Sequence, residues 1–504
     1  MKNTQLVIPM TGLGQRFIDA GYSKLKPLIQ VNGKSYIEHV LEMFNGIEDI
    51  LFIISNDHPQ KEYLREKLRT IAPNAVISEI KPHKLGPSYA INESSNFISQ
   101  EKKVIVSYCD YKAKWNLATM IDQLDSYDGS ILTYTGFHPH MMRSNKYAYV
   151  KKTLDLVTAI KEKEPFTDDP LSEEASGGCY GFKNGALLLA AIGKQLKENL
   201  STNNEYYTSI SYVPIINDNG KIATVNAEKF FQWGTPEDLE DFNYWQSAIE
   251  STNGNNSNRI KLKSSSTSII LAAGKGERIK SMLKLDKPNI PIAGKKLWEY
   301  SWEMGKHSQD VILVTRADIE IDLTGKDSVL AVRLNELTAG QAASTKVGLS
   351  KIGGLNENPI HVFSSDNVIE EIHILNATKL IEKCDLIVWV ADNYPPSLCA
   401  PEQYSWAKIE KNNDISGTYE KKRPPSGGDY KLIVGNFTFR NKEIANKLID
   451  SICEKNIKVN GEFYLDSVIN EAILQGLKVE HLDVGKYFAI GTEVEYYTFN
   501  YFQH

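Results

Sequence analysis

A glycine-rich segment near the amino terminus recurs in the second half of the chain, and this recurrence limits the folds open to the sequence. The first copy reads IPMTGLGQRF over residues 8–17 and is followed by Lys26-Pro27. The second reads LAAGKGER over residues 271–278 and is followed by Lys287-Pro288. Glycines let backbone N–H groups converge on an anion, while arginine and lysine add full charges. Each copy follows an apolar run typical of a buried strand, so the pattern predicts two phosphate-binding loops.

Further motifs recur 256 to 258 residues later in the chain. The matched pairs are Asp110 and Asp366, Glu162-Lys163 and Glu420-Lys421, Glu205 and Glu462, and Gly234-Thr235 and Gly491-Thr492. A shared period of this length indicates a tandem duplication of one domain of about 240 residues, a size at which a single α/β core is normal. Two copies also mean two candidate sites.

Short apolar runs alternate with amphipathic segments, which is typical of a mostly parallel sheet covered by helices. In the first half, strands are predicted at residues 51–55, 104–107 and 130–134, and helices at residues 35–44 and 60–71. Thr235-Pro236-Glu237-Asp238 predicts a helix start, because it combines a capping threonine, a proline at the first helical position and an acid three residues after the cap.

The segment at residues 250–266 is rich in serine, asparagine and threonine and offers little to bury. It predicts a linker between a first domain at residues 1–249 and a second at residues 267–504.

Composition excludes several classes of protein. The formal net charge is −6, so there is no general basic field to hold nucleic acid. The five cysteines are scattered without a CxxC spacing, which indicates neither a disulfide framework nor a zinc site and favours a reducing cytoplasm. No apolar run approaches the roughly 20 residues that span a bilayer. We therefore expect a cytoplasmic protein without nucleic-acid or membrane partners.

Together the motifs resemble those of the sugar-phosphate nucleotidyltransferases, or nucleotide-sugar pyrophosphorylases. The shared pattern is G-x-G-x-R, K-P, an aspartate ending a central strand, E-K and a late G-T, and both halves carry it. The resemblance implies an α/β fold of two tandem Rossmann-like (GT-A-like) domains, each a mostly parallel mixed sheet flanked by helices. It also implies that an NTP and a small phosphorylated acceptor, by default a sugar 1-phosphate, react with Mg²⁺ to give pyrophosphate and a nucleotide sugar. Such products supply surface-polysaccharide or capsule precursors.

The resemblance assigns three sets of residues to this reaction. The catalytic cations, which neutralise the leaving phosphates or hold the acceptor phosphate, are Arg16, Lys26, Lys163, Arg278, Lys287 and Lys421. The nucleotide-binding residues are Met10, Gly12, Leu13, Gly14, Gly86 and Pro87 in the first copy and Ala273, Gly274, Gly276, Gly340 and Gln341 in the second. The acceptor-binding residues are Glu162, Gly178, Glu205, Glu420, Gly435 and Glu462. The base-side segments 84–90 and 338–343 differ, so different nucleotides are expected in the two copies.

Asp110 and Asp366 are the Mg²⁺ ligands that the resemblance implies. Many family members place a second metal-binding aspartate two residues before the late Gly-Thr, where this chain has Gln232 and Ala489. Mg²⁺ often relies on one or two carboxylates plus substrate phosphates, so Asp110 can serve with fewer protein ligands. Glutamine still offers an oxygen and alanine offers none, so activity is assigned to the first domain ahead of the second.

Other functions stay open at this point. The acceptor could be a non-sugar small phosphate receiving a cytidylyl group, and a metal-dependent glycosyltransferase shares the α/β architecture. One copy could also act only as a nucleotide-sugar sensor or an oligomerisation module, and a homo-oligomer is not excluded. A dinucleotide-binding Rossmann domain is disfavoured, because Gly12 and Gly14 lack the third glycine of that fingerprint.

Overall fold

The computed structural model describes residues 1, 3–58, 60–253, 264–354, 357–412 and 414–503, apart from the side chains of residues 251–253 and 278. The chain divides into two compact units, Met1–Asn243 and Tyr244–His504. This division falls inside the helix Pro236–Asn253, six residues before the predicted domain end at residue 249. Residues 254–263 of the predicted linker lie outside the described residues, and its last three residues belong to a strand that begins at Ser264.

The first unit is built from alternating strands and helices. Its strands are β1 (Thr4–Met10), β2 (Gln30–Val31), β3 (Lys34–Ser35), β4 (Asp49–Ser55), β5 (Val76–Ile80), β6 (Lys103–Ser107), β7 (Tyr111–Lys114), β8 (Gly129–Tyr134), β9 (Ala148–Thr153), β10 (Leu156–Glu162), β11 (Glu174–Phe182), β12 (Ile222–Asn226) and β13 (Lys229–Gln232). Its α-helices are α1 (Gln15–Asp19), α2 (Tyr36–Met43), α3 (Lys61–Ile71), α4 (Pro87–Glu93), α5 (Leu117–Ser126), α6 (Gly185–Lys197), α7 (Tyr212–Asn217) and the first part of α8 (Pro236–Asn253).

The main sheet of the first unit has the strand order β5-β4-β1-β6-β11-β8-β12, while β9 pairs with β11 and β10 pairs with β9. Strand β1 is parallel to β4 and β6, whereas β11 is antiparallel to β6 and β8. Leu6 and Ile8 pack into one hydrophobic core and Val7 into another, so both faces of β1 are covered. Because β1 and β6 are parallel, the loops that follow them emerge at the same sheet edge, where ligands bind in open α/β sheets.

The second unit repeats this order of elements. Its strands are β14 (Ser264–Ala272), β15 (Pro291–Ile292), β16 (Lys295–Lys296), β17 (Ser308–Arg316), β18 (Val329–Leu334), β19 (Ile360–Ser364), β20 (Asn367–Val368), β21 (Leu386–Ala391), β22 (Trp406–Ile409), β23 (Ile415–Tyr419), β24 (Tyr430–Phe439), β25 (Val479–Asp483) and β26 (Phe488–Ala489). Its further α-helices are α9 (Glu277–Leu283), α10 (Leu297–Gly305), α11 (Gln341–Leu349), α12 (Ile372–Leu380), α13 (Pro395–Cys399), α14 (Lys442–Glu454), α15 (Ser467–Leu474) and α16 (Glu493–Gln503).

The sheet order in the second unit is β18-β17-β14-β19-β24-β21-β25, which matches the first unit strand for strand. Strand β14 is parallel to β17 and β19, and β24 is antiparallel to β19 and β21. Alternate residues of β14, Ile269 and Ile270, again belong to different hydrophobic cores. The predicted fold class, two tandem α/β domains with mostly parallel mixed sheets, is confirmed.

The strands and helices predicted in the first half of the chain are all present. Strands β4, β6 and β8 and helices α2 and α3 begin and end within two residues of the predicted bounds. The predicted helix start at α8 is also confirmed, because Thr235 and Asp238 exchange hydrogen bonds of 3.0 and 3.2 Å. Among the described residues, none of the helices is both long and apolar enough to cross a membrane.

Candidate active site

The glycine loop of the first unit lines two cavities that share several residues. Strand β1 ends at Met10, and the chain then turns through Gly14, whose φ is +67°. A Cβ atom on Gly14 would lie 3.0 Å from the Cβ of Lys26, so a side chain here would press on that lysine. Glycine is therefore needed both for the turn and for the close approach of Lys26.

The two cavities have volumes of about 930 and 750 Å³ and share lining residues. Met10, Leu13, Gly86 and Pro87 line only the smaller one, which is the predicted nucleotide side. The larger one contains predicted residues of the acceptor side, Glu162, Lys163 and Gly178, together with Arg16. The predicted site residues common to both are Gly12, Gly14, Lys26, Asp110 and Glu205. Every predicted site residue of the first unit thus faces one continuous space.

Lys26 and Asp110 meet at the junction of the two cavities. The Lys26 ammonium lies 2.6 Å from Asp110 Oδ2 and donates a second hydrogen bond, 3.0 Å long, to the carbonyl of Gly234. The backbone of Asp110 is held in place by a hydrogen bond of 2.8 Å, in which the N–H of Trp233 donates to the Asp110 carbonyl. The Gly-Thr motif therefore does more than begin a helix, because its glycine carbonyl orients the lysine.

Lys163 has an unusual backbone conformation, with φ at +62°. A non-glycine residue in the left-handed region costs about 1 kcal/mol, so the surroundings must hold it there. Its ammonium donates to the hydroxyl of Tyr207, which donates to the carboxylate of Glu205, and it lies 4.5 Å from the centre of the Tyr207 ring. The neighbouring Glu162 accepts a 2.5 Å hydrogen bond from Ser209. Burial raises the pKa of Glu162 despite this bond.

A pair of backbone hydrogen bonds joins the predicted nucleotide side to a segment that lines both cavities. The N–H of Tyr206 donates to the carbonyl of Leu85 at 2.8 Å, and the N–H of Ser88 donates to the carbonyl of Tyr206 at 3.0 Å. Between them lies Gly86, with φ at +87°, where a Cβ would stand 2.8 Å from the nitrogen and oxygen of Tyr206. We call this arrangement the backbone clamp. Tyr206 is flanked in sequence by Glu205 and Tyr207, so the clamp fixes the segment that carries both.

The second unit builds a similar site around a cavity of about 660 Å³. Lys287 Nζ lies 2.7 Å from Asp366 Oδ2, and a Cβ on Gly276 would lie 2.9 Å from the Lys287 Cβ. Lys421 again has a positive φ, at +50°. The predicted residues that line this cavity are Gly274, Gly276, Lys287, Gln341, Asp366, Lys421, Gly435 and Glu462.

Some predicted residues of the second unit are not brought to the cavity. Among the predicted residues that the structure describes, three do not line the cavity: Ala273, Gly340 and Glu420. Gly340 instead lies within a second backbone clamp. The N–H of Phe463 donates to the carbonyl of Ala339 at 2.8 Å, and the N–H of Ala342 donates to the carbonyl of Phe463 at 3.0 Å. Glu420 accepts a 2.9 Å hydrogen bond from Ser467. Arg278 belongs to α9, and its side chain lies outside the described residues.

The two aspartates differ in how their oxygens are engaged. In the part of the first unit that the structure describes, Asp110 Oδ1 receives no hydrogen bond, while Oδ2 is bound to Lys26. In the second unit Ser364 donates to Asp366 Oδ1 and Lys287 donates to Oδ2. Burial opposes ionisation of Asp366, but Lys287 and Ser364 outweigh it and hold its pKa below the ordinary value.

The first unit offers more side-chain oxygens that could hold a divalent cation than the second unit does. Gln232 lies directly opposite Tyr111 on the β7–β13 ladder and lines the same cavity as Asp110. In the second unit the corresponding ladder pairs Asn367 with Ala489. One carboxylate, a neutral amide oxygen and substrate phosphates form a donor set that suits Mg²⁺. Among the described residues there is no cluster of three or more His, Cys, Asp or Glu side chains able to hold a metal.

Several cavity residues carry no motif and were missed by sequence reasoning. They are Tyr108, Arg143 and Lys146, all in the larger cavity of the first unit; Asp238, predicted only as part of a helix start, lines that cavity too. Arg143 forms a bidentate ion pair with Asp241, with hydrogen bonds of 2.6 and 2.7 Å. Burial raises the pKa of Asp238 to about 6, with the nearby Asp241 and Asp110 carboxylates adding to the shift against the hydrogen bonds from Thr235. Comparing the two repeats position by position would have pointed to Arg143 and Lys146, since the second copy lacks both cations.

Comparison with solved structures returns proteins that cover about half of this chain. The nucleoside-diphosphate-sugar pyrophosphorylase of Vibrio cholerae RC9 is 20% identical, with 47% of this chain and 98% of that one aligned and a TM-score of 0.40. The inositol-1-phosphate CTP transferase of T. maritima is 17% identical over 48% of this chain and 98% of that one, with a TM-score of 0.38. The UTP-bound UGPase of Acinetobacter baumannii is 19% identical over 47% and 91%, with a TM-score of 0.36.

A curated protein and a family model each match part of this sequence. The chain is 24% identical over 161 residues to the bifunctional protein GlmU of Methanococcus maripaludis, which covers 31% of this chain. The match spans about a third, 36%, of that relative's length. Residues 6–245 match the family model described as Nucleotidyl transferase, a span that contains every predicted site residue of the first unit. The first half of the chain therefore belongs to the nucleotidyl transferase family of enzymes.

Proposed function

We propose that the protein transfers a nucleotidyl group from an NTP to a small phosphorylated acceptor, by default a sugar 1-phosphate, and releases pyrophosphate. The observation that carries the proposal is the junction of the two cavities of the first unit. Lys26 and Asp110 line both cavities, so a nucleotide in one and an acceptor in the other would meet at this pair. Such a junction suits a reaction between two phosphate groups, since both are anionic and must be positioned and neutralised.

In the proposed reaction a phosphate oxygen of the acceptor attacks the α-phosphorus of the NTP. A new phosphorus–oxygen bond forms while the bond from the α-phosphorus to the bridging oxygen breaks, and pyrophosphate leaves with the electron pair. Arg16 is exposed beside the glycine loop, and no ion pair to it occurs among the described residues, so its charge is available to the leaving group. Lys163, oriented by its hydrogen bond to Tyr207, binds the phosphate of the acceptor. Glu162 accepts hydrogen bonds from hydroxyl groups of the acceptor.

A divalent cation such as Mg²⁺ is part of the proposal. Asp110 and Gln232 would hold it in the first unit, and it would stabilise the charge that develops on the phosphate oxygens. Lys26 then has a second role, because its 2.6 Å contact with Oδ2 orients the Asp110 carboxylate beside the reacting phosphates.

We further propose that the first unit is the more active one. Both oxygens of Asp366 already accept hydrogen bonds in the second unit, and Ala489 offers no oxygen opposite Asn367. These observations favour a second unit that binds a nucleotide or nucleotide sugar with little turnover. Calorimetry with nucleotides on the full chain carrying Lys26→Ala would detect such binding, and pyrophosphate release by that variant at the wild-type rate would contradict it.

We also propose that the protein acts in the cytoplasm. All five cysteines are free, which accords with a reducing cytoplasm. A nucleotide sugar made there would supply surface-polysaccharide or capsule synthesis. In this proposal residues 1–249 and 267–504 form the two domains of the enzyme. A non-sugar phosphate receiving a cytidylyl group is the alternative acceptor.

The test measures pyrophosphate release by the full chain with each NTP, Mg²⁺ and a panel of sugar 1-phosphates and small non-sugar phosphates. Lys26→Ala and Lys287→Ala form a matched pair, because each lysine contacts the aspartate of its own unit. We expect Lys26→Ala to lower kcat by about 10²–10³-fold, as for other preorganised charges, and Lys287→Ala to leave most of it. Absence of pyrophosphate with every pair, or sugar transfer from a nucleotide sugar instead, would refute the proposal.

A further inference from the structure

We propose that the acceptor used by the first unit carries a second anionic group in addition to its phosphate, and that Lys146 binds it. The inference rests on the proposed function, since it names the class of acceptor taken by the same site. It predicts a carboxylate or a second phosphate on the part of the acceptor that lies away from the α-phosphorus.

The position of Lys146 is fixed by the backbone around the acceptor side. The N–H of Lys163 donates to the carbonyl of Tyr147 at 2.9 Å, and Ala148 lies opposite Glu162 on the β9–β10 ladder. The N–H of Lys146 itself donates to the hydroxyl of Ser144 at 3.1 Å. Lys146 therefore directly precedes the segment that pairs with the predicted acceptor residues, and it lines the same cavity.

Charge pairing distinguishes Lys146 from most other cations of that cavity. Lys26 is paired with Asp110, Arg143 with Asp241, and Lys163 with the hydroxyl of Tyr207 beside Glu205. For the ammonium of Lys146, the described parts of the chain provide neither a hydrogen bond nor an ion pair. Arg16 has the same property, but it lies at the glycine loop, where the leaving phosphates need it. On the acceptor side one cation is thus left over after the single phosphate has been matched with Lys163.

The second unit supports the interpretation by contrast. The 257-residue period puts Gln403 at the position of Lys146, and both Gln403 and its neighbour Glu402 line the second cavity. There Lys421 donates to the carbonyl of Gln403 at 2.9 Å instead of facing a second cation. The rim of one cavity thus carries a lysine where the other carries a neutral amide next to a carboxylate. A doubly anionic acceptor would find a cation for its second charge at Lys146 in the first cavity and none at the matching Gln403 in the second, where Glu402 is itself paired with Arg423 at 3.8 Å.

The test compares acceptors that differ by one anionic group, using the full chain with Lys287→Ala so that turnover reports the first unit. The pairs are glucose 1-phosphate against glucuronic acid 1-phosphate, glycerol 3-phosphate against 3-phosphoglycerate, and, for a second phosphate, glucose 1-phosphate against glucose 1,6-bisphosphate. Pyrophosphate release is followed with every NTP, and binding of each acceptor is measured by calorimetry.

We expect the more anionic member of at least one pair to have a KM, or a Kd, about tenfold lower, as a charge-assisted contact provides. Lys146→Gln should abolish this difference while leaving the less anionic member within about twofold, and Lys146→Arg should restore part of it. The control is Lys151→Gln, which removes an exposed lysine of β9 that does not line the cavity as described.

Two results would overturn the inference. One is equal loss with both members of a pair on Lys146→Gln, which would mean that Lys146 binds the shared phosphate. The other is that no pair differs in binding or KM. Failure of the proposed function has a different signature, namely no pyrophosphate with any acceptor, and in that case the calorimetric comparison of the same pairs still decides for or against Lys146.

Discussion

Replacing Gly86 with alanine tests the backbone clamp. Gly86 has φ at +87° and ψ at 176°, a region that is open essentially to glycine alone. An added Cβ would stand 2.8 Å from the backbone nitrogen and oxygen of Tyr206, closer than van der Waals contact allows. Because all the atoms that the Cβ would meet belong to the Tyr206 backbone, no side-chain rotation can relieve the contact, and the two segments must separate.

Separation breaks the two hydrogen bonds of the clamp, which join Tyr206 to Leu85 and to Ser88. Each bond contributes about 1 kcal/mol, so their loss displaces Glu205 and Tyr207 at a cost of about 2 kcal/mol. If that cost falls on the transition state, kcat/KM drops by about 30-fold. The assay is pyrophosphate release by the full chain with Lys287→Ala, together with calorimetric nucleotide binding.

Gly21→Ala is the matched control. Gly21 has a similar φ of +85°, but nothing lies within 4 Å of its added Cβ. Its substitution therefore carries only the cost of the backbone angle, about 1–2 kcal/mol, and should leave kcat/KM within about threefold. If both substitutions lowered kcat/KM equally, the clamp would have no part in the reaction, and the reasoning from the Cβ contact would be refuted.

Three further predictions concern side chains. Tyr207→Phe removes the hydroxyl that steadies Lys163, and should raise the KM for the acceptor about fivefold with little change in the KM for the NTP; an equal rise in both would contradict this role. Gln232→Asp adds a carboxylate beside Asp110, and should lower the Kd for Mn²⁺, measured by electron paramagnetic resonance, about tenfold, whereas Gln232→Ala should raise it. The pKa of Asp238 is raised to about 6 in the folded chain, against about 3.9 when unfolded, so the folded state binds the proton more tightly and unfolding free energy falls as pH rises from about 4 to about 6. Relative to Asp238→Asn, the wild type should lose about 2 kcal/mol over that range in denaturant unfolding, and parallel pH profiles would show the shift to be absent.

Much of the fold followed from the sequence because its signals are local or periodic. Strands β4, β6 and β8 are short apolar runs between turn residues, and helix α8 begins at a capping motif; both kinds of signal depend only on neighbours in the chain. The repeat then supplied the long-range information, since residues that recur at one period must occupy the same place in two similar sheets. The resemblance to the sugar-phosphate nucleotidyltransferases then assigned Lys26 and Asp110, which are 84 residues apart, to one site before their 2.6 Å contact was known.

The rest of the site depends on backbone geometry and loop packing that leave no local signal. Lys163 and Lys421 have positive φ angles, which lysine seldom adopts, so the residue type gave no hint of the conformation. Arg143 and Lys146 come from a connection with no recognisable motif, and only the folded loop brings them to the cavity. The predicted places of Gly340 and Glu420 were taken from matching positions in the first unit, but in the second unit neither lines the cavity.

The backbone clamp also has a thermodynamic consequence. It joins residues 85–88, which line the proposed nucleotide cavity, to the segment that carries Glu205 and Tyr207. If the proposed function holds, we expect a nucleotide that orders one side to change the free energy of acceptor binding on the other. Linkage requires this effect to be reciprocal, and whatever factor the nucleotide contributes to acceptor affinity, the acceptor must contribute to nucleotide affinity. We therefore expect a substitution near Gly86 that alters base preference also to alter the apparent preference among acceptors.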